Sequence, residues 1–180
     1  KSDKKIQRLA FYDALTGLAN RRLLLDRLKQ QILRCKRTNK YAALFFIDLD
    51  NFKNLNDTRG HDIGDLLLKQ VAKALHKIVR ATDTVSRFGG DEFVIMLADL
   101  SDDVDAAYTV TENIAEKIFN LFGSPFKLRG NDYHITPSLG ITVFKDRSMD
   151  PEQVLKDSDL AMYEAKSSGK NTLRFFNKKI

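Results

Sequence analysis

Three carboxylates at strand-like positions are placed to do chemistry. Asp48 closes the apolar run Leu44-Phe45-Phe46-Ile47, and the adjacent Asp91 and Glu92 follow Gly89-Gly90. A carboxylate at the end of so apolar a strand is costly to bury without a partner, so Asp48 is expected to emerge at the edge of a sheet. Asp50 lies two residues on and shares the face of Asp48 if the strand continues. Hard cations such as Mg²⁺ take oxygen ligands, commonly one or two carboxylates with substrate phosphates completing the shell. By themselves, Asp48-Leu49-Asp50 read better as a strand end followed by a turn than as metal ligands. The second station changes the balance. In Arg87-Phe88-Gly89-Gly90-Asp91-Glu92-Phe93 the paired glycines permit a tight turn and close approach of a ligand to the backbone. The acids after them bring like charges that a cation or water must relieve. Two carboxylate stations at sheet positions are what two-metal nucleotidyl transfer requires, with ions about 3.5–4 Å apart clamping the attacking and leaving oxygens of an in-line displacement.

The elements that must position these groups follow from periodicity and punctuation. The segment 41–47 is short and continuously apolar, as in a strand buried on both faces. Strands over 84–88 and 93–97 flank Gly89-Gly90 as a β-hairpin. The segment 133–144, with His134 at its start, includes another long strand, and 172–176 a short last one. Four helices lie between. Asn20 is placed to cap one over 21–37, with Leu24, Leu28, Ile32 and Cys35 on one face. Asp62 is expected to cap a second, where Leu67, Leu68, Val71, Ala72, Leu75, Ile78 and Val79 recur at helical spacing. A third spans 102–122 and stops at Gly123-Ser124-Pro125. A fourth opens at Asp150-Pro151 and ends at Gly169. The central hairpin interrupts any regular strand–helix alternation. The pattern therefore predicts an α+β fold, a mixed central sheet flanked by helices in a ferredoxin-like sandwich, rather than a doubly wound parallel fold.

Composition bounds the rest. The 180 residues, 43% hydrophobic and 30% charged, suit one globular domain with a complete core. No apolar run approaches the ~20 residues of a membrane helix. The net charge of +6 suits a phosphate-bearing ligand. Much of it sits near the ends (Lys1, Lys4, Lys5, Lys178, Lys179), and no aromatic-rich basic stripe accompanies it, so neither nucleic-acid binding nor direct membrane contact of this fragment is expected. Cys35, the only cysteine, cannot form an internal disulfide and fits a reduced cytoplasmic setting. The chain opens on Lys1 rather than Met, as expected of a piece of a longer protein whose sensor or membrane anchor lies elsewhere. Residues 1–10 read as the end of an upstream signalling helix or linker, 11–177 as a single domain, and 178–180 as the start of a downstream linker.

The motifs, taken together, resemble those of the GGDEF family, the diguanylate cyclase domains, whose name is spelled by Gly89-Gly90-Asp91-Glu92-Phe93. The segment from Asp13 to Arg22 (DALTGLANRR) is similar to the family's opening motif. Phe46-Ile47-Asp48-Leu49-Asp50-Asn51-Phe52-Lys53, continuing to Asn56-Asp57, Gly60-His61 and Gly64-Asp65, resembles its metal-and-nucleotide motif. Ser138-Leu139-Gly140-Ile141, Ala161-Met162-Tyr163-Glu164-Ala165-Lys166 and Gly169-Lys170-Asn171 resemble its closing motifs.

The resemblance implies a nucleotidyl cyclase, palm-like architecture with the active-site motif on the hairpin, and a set of roles. Asp48 and the backbone carbonyl of Leu49 would hold Mg²⁺ or Mn²⁺, two ions per site, with Asp91 and Glu92 completing the shell. Asp91 would also be the general base for a ribose 3′-hydroxyl. Asn56 and Asp65 would read the guanine edge, since a carboxylate accepts from the ring N–H and exocyclic amine that adenine does not offer in that arrangement. Read alone, Asn56 is a turn residue and Asp65 a helix first-turn acid. Lys53, Lys166 and Lys170 would meet the phosphates, and the backbone N–H groups of Asn51 and Phe52 would cradle one.

Arg80 and Asp83, five residues before the glycine pair, match the family's inhibitory R-x-x-D site for its product, although they also suit a helix end and a turn. The arginine expected on the following helix is absent, with Thr111 near its place. Ser158 stands where the family has alanine before Asp159, a small-for-small change. The implied activity is condensation of two GTP into cyclic di-GMP and two pyrophosphates across a homodimer. The alternative is a catalytically silent domain that binds GTP or cyclic di-GMP and regulates a larger signalling protein; residues 173–177 resemble the lead into a phosphodiesterase domain in tandem relatives.

Overall fold

The structure, a computed structural model, describes residues 2–145 and 150–176. Lys1, Asn177 and the expected linker at 178–180 lie outside the described residues. In chain order the elements are α1 (Ser2–Phe11), α2 (Arg21–Thr38), β1 (Ala42–Leu49), α3 (Phe52–Arg59), α4 (His61–Ile78), β2 (Thr84–Gly89), β3 (Glu92–Leu97), α5 (Val104–Phe122), β4 (Phe126–Leu128), β5 (Asn131–Tyr133), β6 (Pro137–Phe144), α6 (Pro151–Ser167) and β7 (Leu173–Phe175). Five strands form one sheet in the order β2-β3-β1-β6-β7. Only the β6–β7 pair is parallel, so the sheet is mixed and the fold α+β, as the sequence predicts.

Side chains alternate across this sheet and build a core on each face. Phe45, Ile47, Phe93, Ile95 and Ile141 pack with Leu67, Val71 and Leu75 of α4 and Ile118 and Phe122 of α5. Leu44, Phe46, Val94, Met96 and Phe144 pack with Leu24, Leu28 and Ile32 of α2 and Val154, Leu155 and Met162 of α6. Each fully buried Leu, Ile or Phe contributes about 1.5–3 kcal/mol. With both faces of β1 apolar, hydrophobicity alone does not choose its register. Asp48 does, because it is the one residue of β1 that is not fully enclosed. A one-residue slip would turn that carboxylate onto the face of α4 and α5.

Local chemistry explains the element ends. The side chain of Asn20 accepts from Leu23 N at 3.0 Å and so caps α2. Asp103 does the same for α5, accepting from Ala106 N at 2.9 Å. Four expectations are corrected. Asp62 does not cap α4; it lies in the first turn, and Gly60 precedes the helix. Residues 52–59 form a separate helix, α3, which has no apolar stripe to announce it: Phe52 is its one buried residue. His134 does not begin a strand. It sits in the connection between β5 and β6, because 126–133 forms a small hairpin of its own, apart from the main sheet. Asp50 falls just past the end of β1 and so does not continue the strand beside Asp48.

Candidate active site

The end of β1 and the tip of the β2–β3 hairpin meet at the edge of the sheet. Asp48 pairs with Glu92 in the ladder, and Leu49 N donates to Asp91 O at 3.3 Å. The hairpin turns at Gly90 and Asp91. Gly89 (φ 125°) and Gly90 (φ 50°) supply the positive φ there. Arg87 braces the turn from within. Its Nε donates to Gly90 O at 3.0 Å, and one guanidinium nitrogen reaches both oxygens of Asp13 at 3.0 and 3.2 Å. Asp13 is itself fixed by Thr16, whose N and Oγ1 donate to Oδ2 at 2.9 and 2.7 Å. The opening motif thus buttresses the hairpin motif, a link that spacing alone did not disclose.

Asp48 is the electrostatic centre of the site. Its Oδ2 accepts from Lys166 of α6 at 3.2 Å, while its Oδ1 is buried with no partner. Burial pushes the Asp48 carboxyl up to about 7, the neighbouring Asp91 carboxyl adds to the rise, and Lys166 opposes it. Glu92 is also raised, first by burial and then by the charges of Asp159 and Asp91, against Arg21 and Lys166. An orphaned carboxylate oxygen beside a second carboxylate fits a divalent cation, which would satisfy the lone oxygen and relieve the like-charge contact. Among the described residues no group of three or more His, Cys, Asp or Glu side chains is placed to hold a metal ion. Sites that bind Mg²⁺ together with phosphate need only one or two carboxylates.

Around this centre lie the other expected positions. Asn51 adopts a left-handed conformation (φ 61°) at the start of α3, and its Oδ1 accepts from Lys170 Nζ at 2.9 Å. The first N–H groups of α3, including that of Phe52, have no partners within the helix. Lys53 is exposed on the same helix. Asn56 presents a second buried oxygen without a partner, Oδ1. That oxygen sits where a Cβ on Gly64 would be, 1.8 Å away, so α4 accommodates Asn56 only through the missing side chain. Asp65 is exposed on the next residue of α4. The structure thus brings Asp48, Leu49, Asp91, Glu92 and Lys166 together and joins Asn51 to Lys170. Asn56 of α3 packs against Gly64 of α4, and Asp65 is the next residue of that helix.

Arg80 and Asp83 form a separate site. Asp83 is buried and accepts from Arg80 N at 2.9 Å and Ala98 N at 2.9 Å, and its carboxylate pairs with the Arg80 guanidinium at 3.1 Å. The guanidinium also donates to Ala98 O. Next to it opens a cleft of about 390 Å³ lined in part by Arg27, Arg34, Thr82, Asp83 and Asp99. The two arginines of α2 were not foreseen, because only the tertiary fold brings that helix beside β2. Thr111 is fully buried, with Oγ1 donating to Ala107 O at 2.7 Å. The hydroxyl of Ser158 is likewise accommodated, paired with Thr142 Oγ1 at 2.7 Å.

Residues 10–172 match the family described as diguanylate cyclase, GGDEF domain. The chain belongs to the GGDEF family. Among curated relatives, the bifunctional diguanylate cyclase/cyclic di-GMP phosphodiesterase MucR of Pseudomonas aeruginosa is 38% identical over 98% of this chain and 25% of its own length. The chain thus spans about a quarter of that relative. The solved GGDEF domain of PA1120 (TpbB or YfiN) from Pseudomonas aeruginosa superposes with a TM-score of 0.86 at 32% identity, covering 92% of this chain and 94% of that one. The GGDEF domain of DgcB from Caulobacter crescentus, solved in complex with c-di-GMP, gives 0.84 at 26% identity over 94% and 97%. The diguanylate cyclases of this family are divalent-metal enzymes. Among the described residues of this GGDEF domain, no helix is long and apolar enough to cross a membrane.

Proposed function

We propose that this GGDEF domain is a cytoplasmic diguanylate cyclase that condenses two GTP into cyclic di-GMP and two pyrophosphates, each copy of a homodimer contributing one bound GTP. The observation that carries the reading is the carboxylate of Asp48, which has one buried unpartnered oxygen and Lys166 at 3.2 Å, at the point where Leu49 N donates to the Asp91 carbonyl and joins β1 to the hairpin tip.

Asp48, the carbonyl of Leu49, Asp91 and Glu92 would hold two Mg²⁺ or Mn²⁺ ions, which when bound lower the pKa of a coordinated alcohol and neutralise charge developing on the phosphate. Asp91 takes the proton from the ribose 3′-hydroxyl as its oxygen attacks the α-phosphate of the GTP on the other copy, and pyrophosphate leaves. Lys166, Lys170 and Lys53, with the N–H groups of Asn51 and Phe52, hold the triphosphate. Asn56, with its unpartnered oxygen, and Asp65 read guanine. One site holds one substrate, so two copies must face each other, and a two-fold arrangement provides this. Arg80 and Asp83 bind the product as inhibitor. Residues 1–10 end an upstream signalling helix, and 11–177 form the cyclase domain.

The alternative is a regulatory domain that binds GTP or cyclic di-GMP without turnover, a reading supported by residues 173–177, which are similar in sequence to the lead into a phosphodiesterase domain. Incubating the purified domain at high concentration with GTP and Mg²⁺ separates the two. Cyclic di-GMP formed at a rate rising more than linearly with protein concentration supports the cyclase. Intact GTP under enforced dimerisation with Mn²⁺ supports the regulatory domain. ATP at equal concentration should not compete.

A further inference from the structure

Asp50 is 2% exposed, and its carboxylate is filled with donors from distant parts of the chain. Oδ1 accepts from Ser138 Oγ at 2.7 Å, and Oδ2 accepts from Thr136 Oγ1 at 2.7 Å and from Asn171 N at 3.0 Å. Asp50 N also donates to Thr136 O at 2.8 Å. Lys166 Nζ lies 3.9 Å from Oδ1 and 3.2 Å from Asp48 Oδ2, so its ammonium sits between two carboxylates rather than collapsed onto one. The segments tied together are the β1–α3 loop, the strand entry before β6 and the turn from α6 into β7. Two of them hold non-glycine residues in left-handed backbone: Asn51 (φ 61°), Lys170 (φ 65°) and Asn171 (φ 48°). Such conformations persist only where the surroundings over-determine them, and the Lys170–Asn51 bond joins the two segments.

We infer that Asp50 is the positioning residue of the triphosphate site. It touches no substrate. It sets the spacing of Lys166, Lys170 and the α3 N–H groups, so its loss weakens binding in proportion to the phosphates a ligand carries and leaves recognition of the base alone. A side chain that merely supported the fold would weaken all ligands together. The inference rests on the proposal that this site binds GTP.

The test compares the whole chain with its Asp50→Asn variant, which keeps the size of the group and most of its hydrogen bonds but removes the charge. The probes are 3′-deoxy-GTP, which lacks the attacking hydroxyl, and guanosine, both titrated with Mg²⁺ present; the Tm is read in parallel. The expected result is at least tenfold weaker binding of 3′-deoxy-GTP, guanosine within twofold of wild type, and a Tm lowered by only a few degrees. Equal losses for both ligands, or a loss under twofold for 3′-deoxy-GTP, would overturn the inference. If Asp50→Asn does not fold, Ser138→Ala and Thr136→Val each remove one donor and should weaken 3′-deoxy-GTP two- to fivefold without affecting guanosine; an unchanged ratio overturns it equally. Wild-type protein that binds neither probe would overturn the GTP reading itself, and this inference with it.

Discussion

Arg87 and Asp13 form a nearly enclosed ion pair, 3.0 Å apart and with side chains only 13% and 15% exposed, that bolts the β2–β3 hairpin to the turn before α2. Removing one partner of a fully buried pair costs about 3–5 kcal/mol, because the other charge is stranded. For this slightly exposed pair Arg87→Ala is expected to cost about 2–3 kcal/mol, or roughly 5–10 °C in Tm. The double variant Asp13→Ala/Arg87→Ala should lose less than the two single losses combined. Thermal unfolding of the three variants checks this, and an unchanged Tm for Arg87→Ala would refute the bracing role.

A pH dependence follows from Asp48. Its folded pKa, about 7, is above the ordinary aspartate value of 3.8. Between those values the folded state keeps a proton that the unfolded chain has released, so stability falls as pH rises through this window. Without divalent metal, the Tm should therefore decline from about pH 4 to about pH 7, and Asp48→Asn should flatten the decline. Metal binding needs the deprotonated carboxylate. The apparent affinity for Mg²⁺ should accordingly rise about tenfold per pH unit below 7 and level off above it. A calorimetric titration at pH 5.5, 6.5 and 8 would show a flat profile if Asp48 is not a ligand.

Gly64 offers a test of the proposed guanine pocket. Its Cβ position lies 1.8 Å from Asn56 Oδ1, whereas the helical backbone accepts alanine without strain. In a helix interior alanine is favoured over glycine by about 0.8–1 kcal/mol. The new Cβ would also lie 3.2 Å from Cζ of the buried Phe52, so Gly64→Ala should lower the Tm by a few degrees despite that gain, while raising the KM for GTP about tenfold by displacing Asn56. In an Asn56→Ala background the same change should add nothing to the KM. Full additivity of the two substitutions would show that Gly64 acts elsewhere.

Arg80 and Asp83 should separate on substitution. The Arg80 side chain is 55% exposed, but that of Asp83 only 2%, and it accepts from two backbone N–H groups. Arg80→Ala is expected to change stability by less than about 1 kcal/mol and to raise the concentration of cyclic di-GMP needed for inhibition at least tenfold. Asp83→Ala leaves buried donors unpaired and should cost about 1–3 kcal/mol. Inhibition curves and unfolding curves for both variants decide the matter; unaltered inhibition in Arg80→Ala would remove this pair from the product site.

What the sequence determined by itself is local. The apolar run ending in Asp48 makes β1 a central strand, the glycine pair makes the hairpin, and Asn20 caps α2 through a bond three residues away. The motif order puts one carboxylate at the end of the apolar run and two behind the glycine pair. Helix α3 escaped notice because only Phe52 of its eight residues is buried, which leaves no period to read. Only the tertiary structure decided what Asp50 does. Its neighbours in sequence suggested a second strand-end carboxylate, yet its partners Thr136, Ser138 and Asn171 lie 86, 88 and 121 residues away. The same holds for Arg87 and Asp13, 74 residues apart. Hydrogen bonds of that span depend on how the sheet orders its strands and where α6 ends, and no spacing along the chain records either.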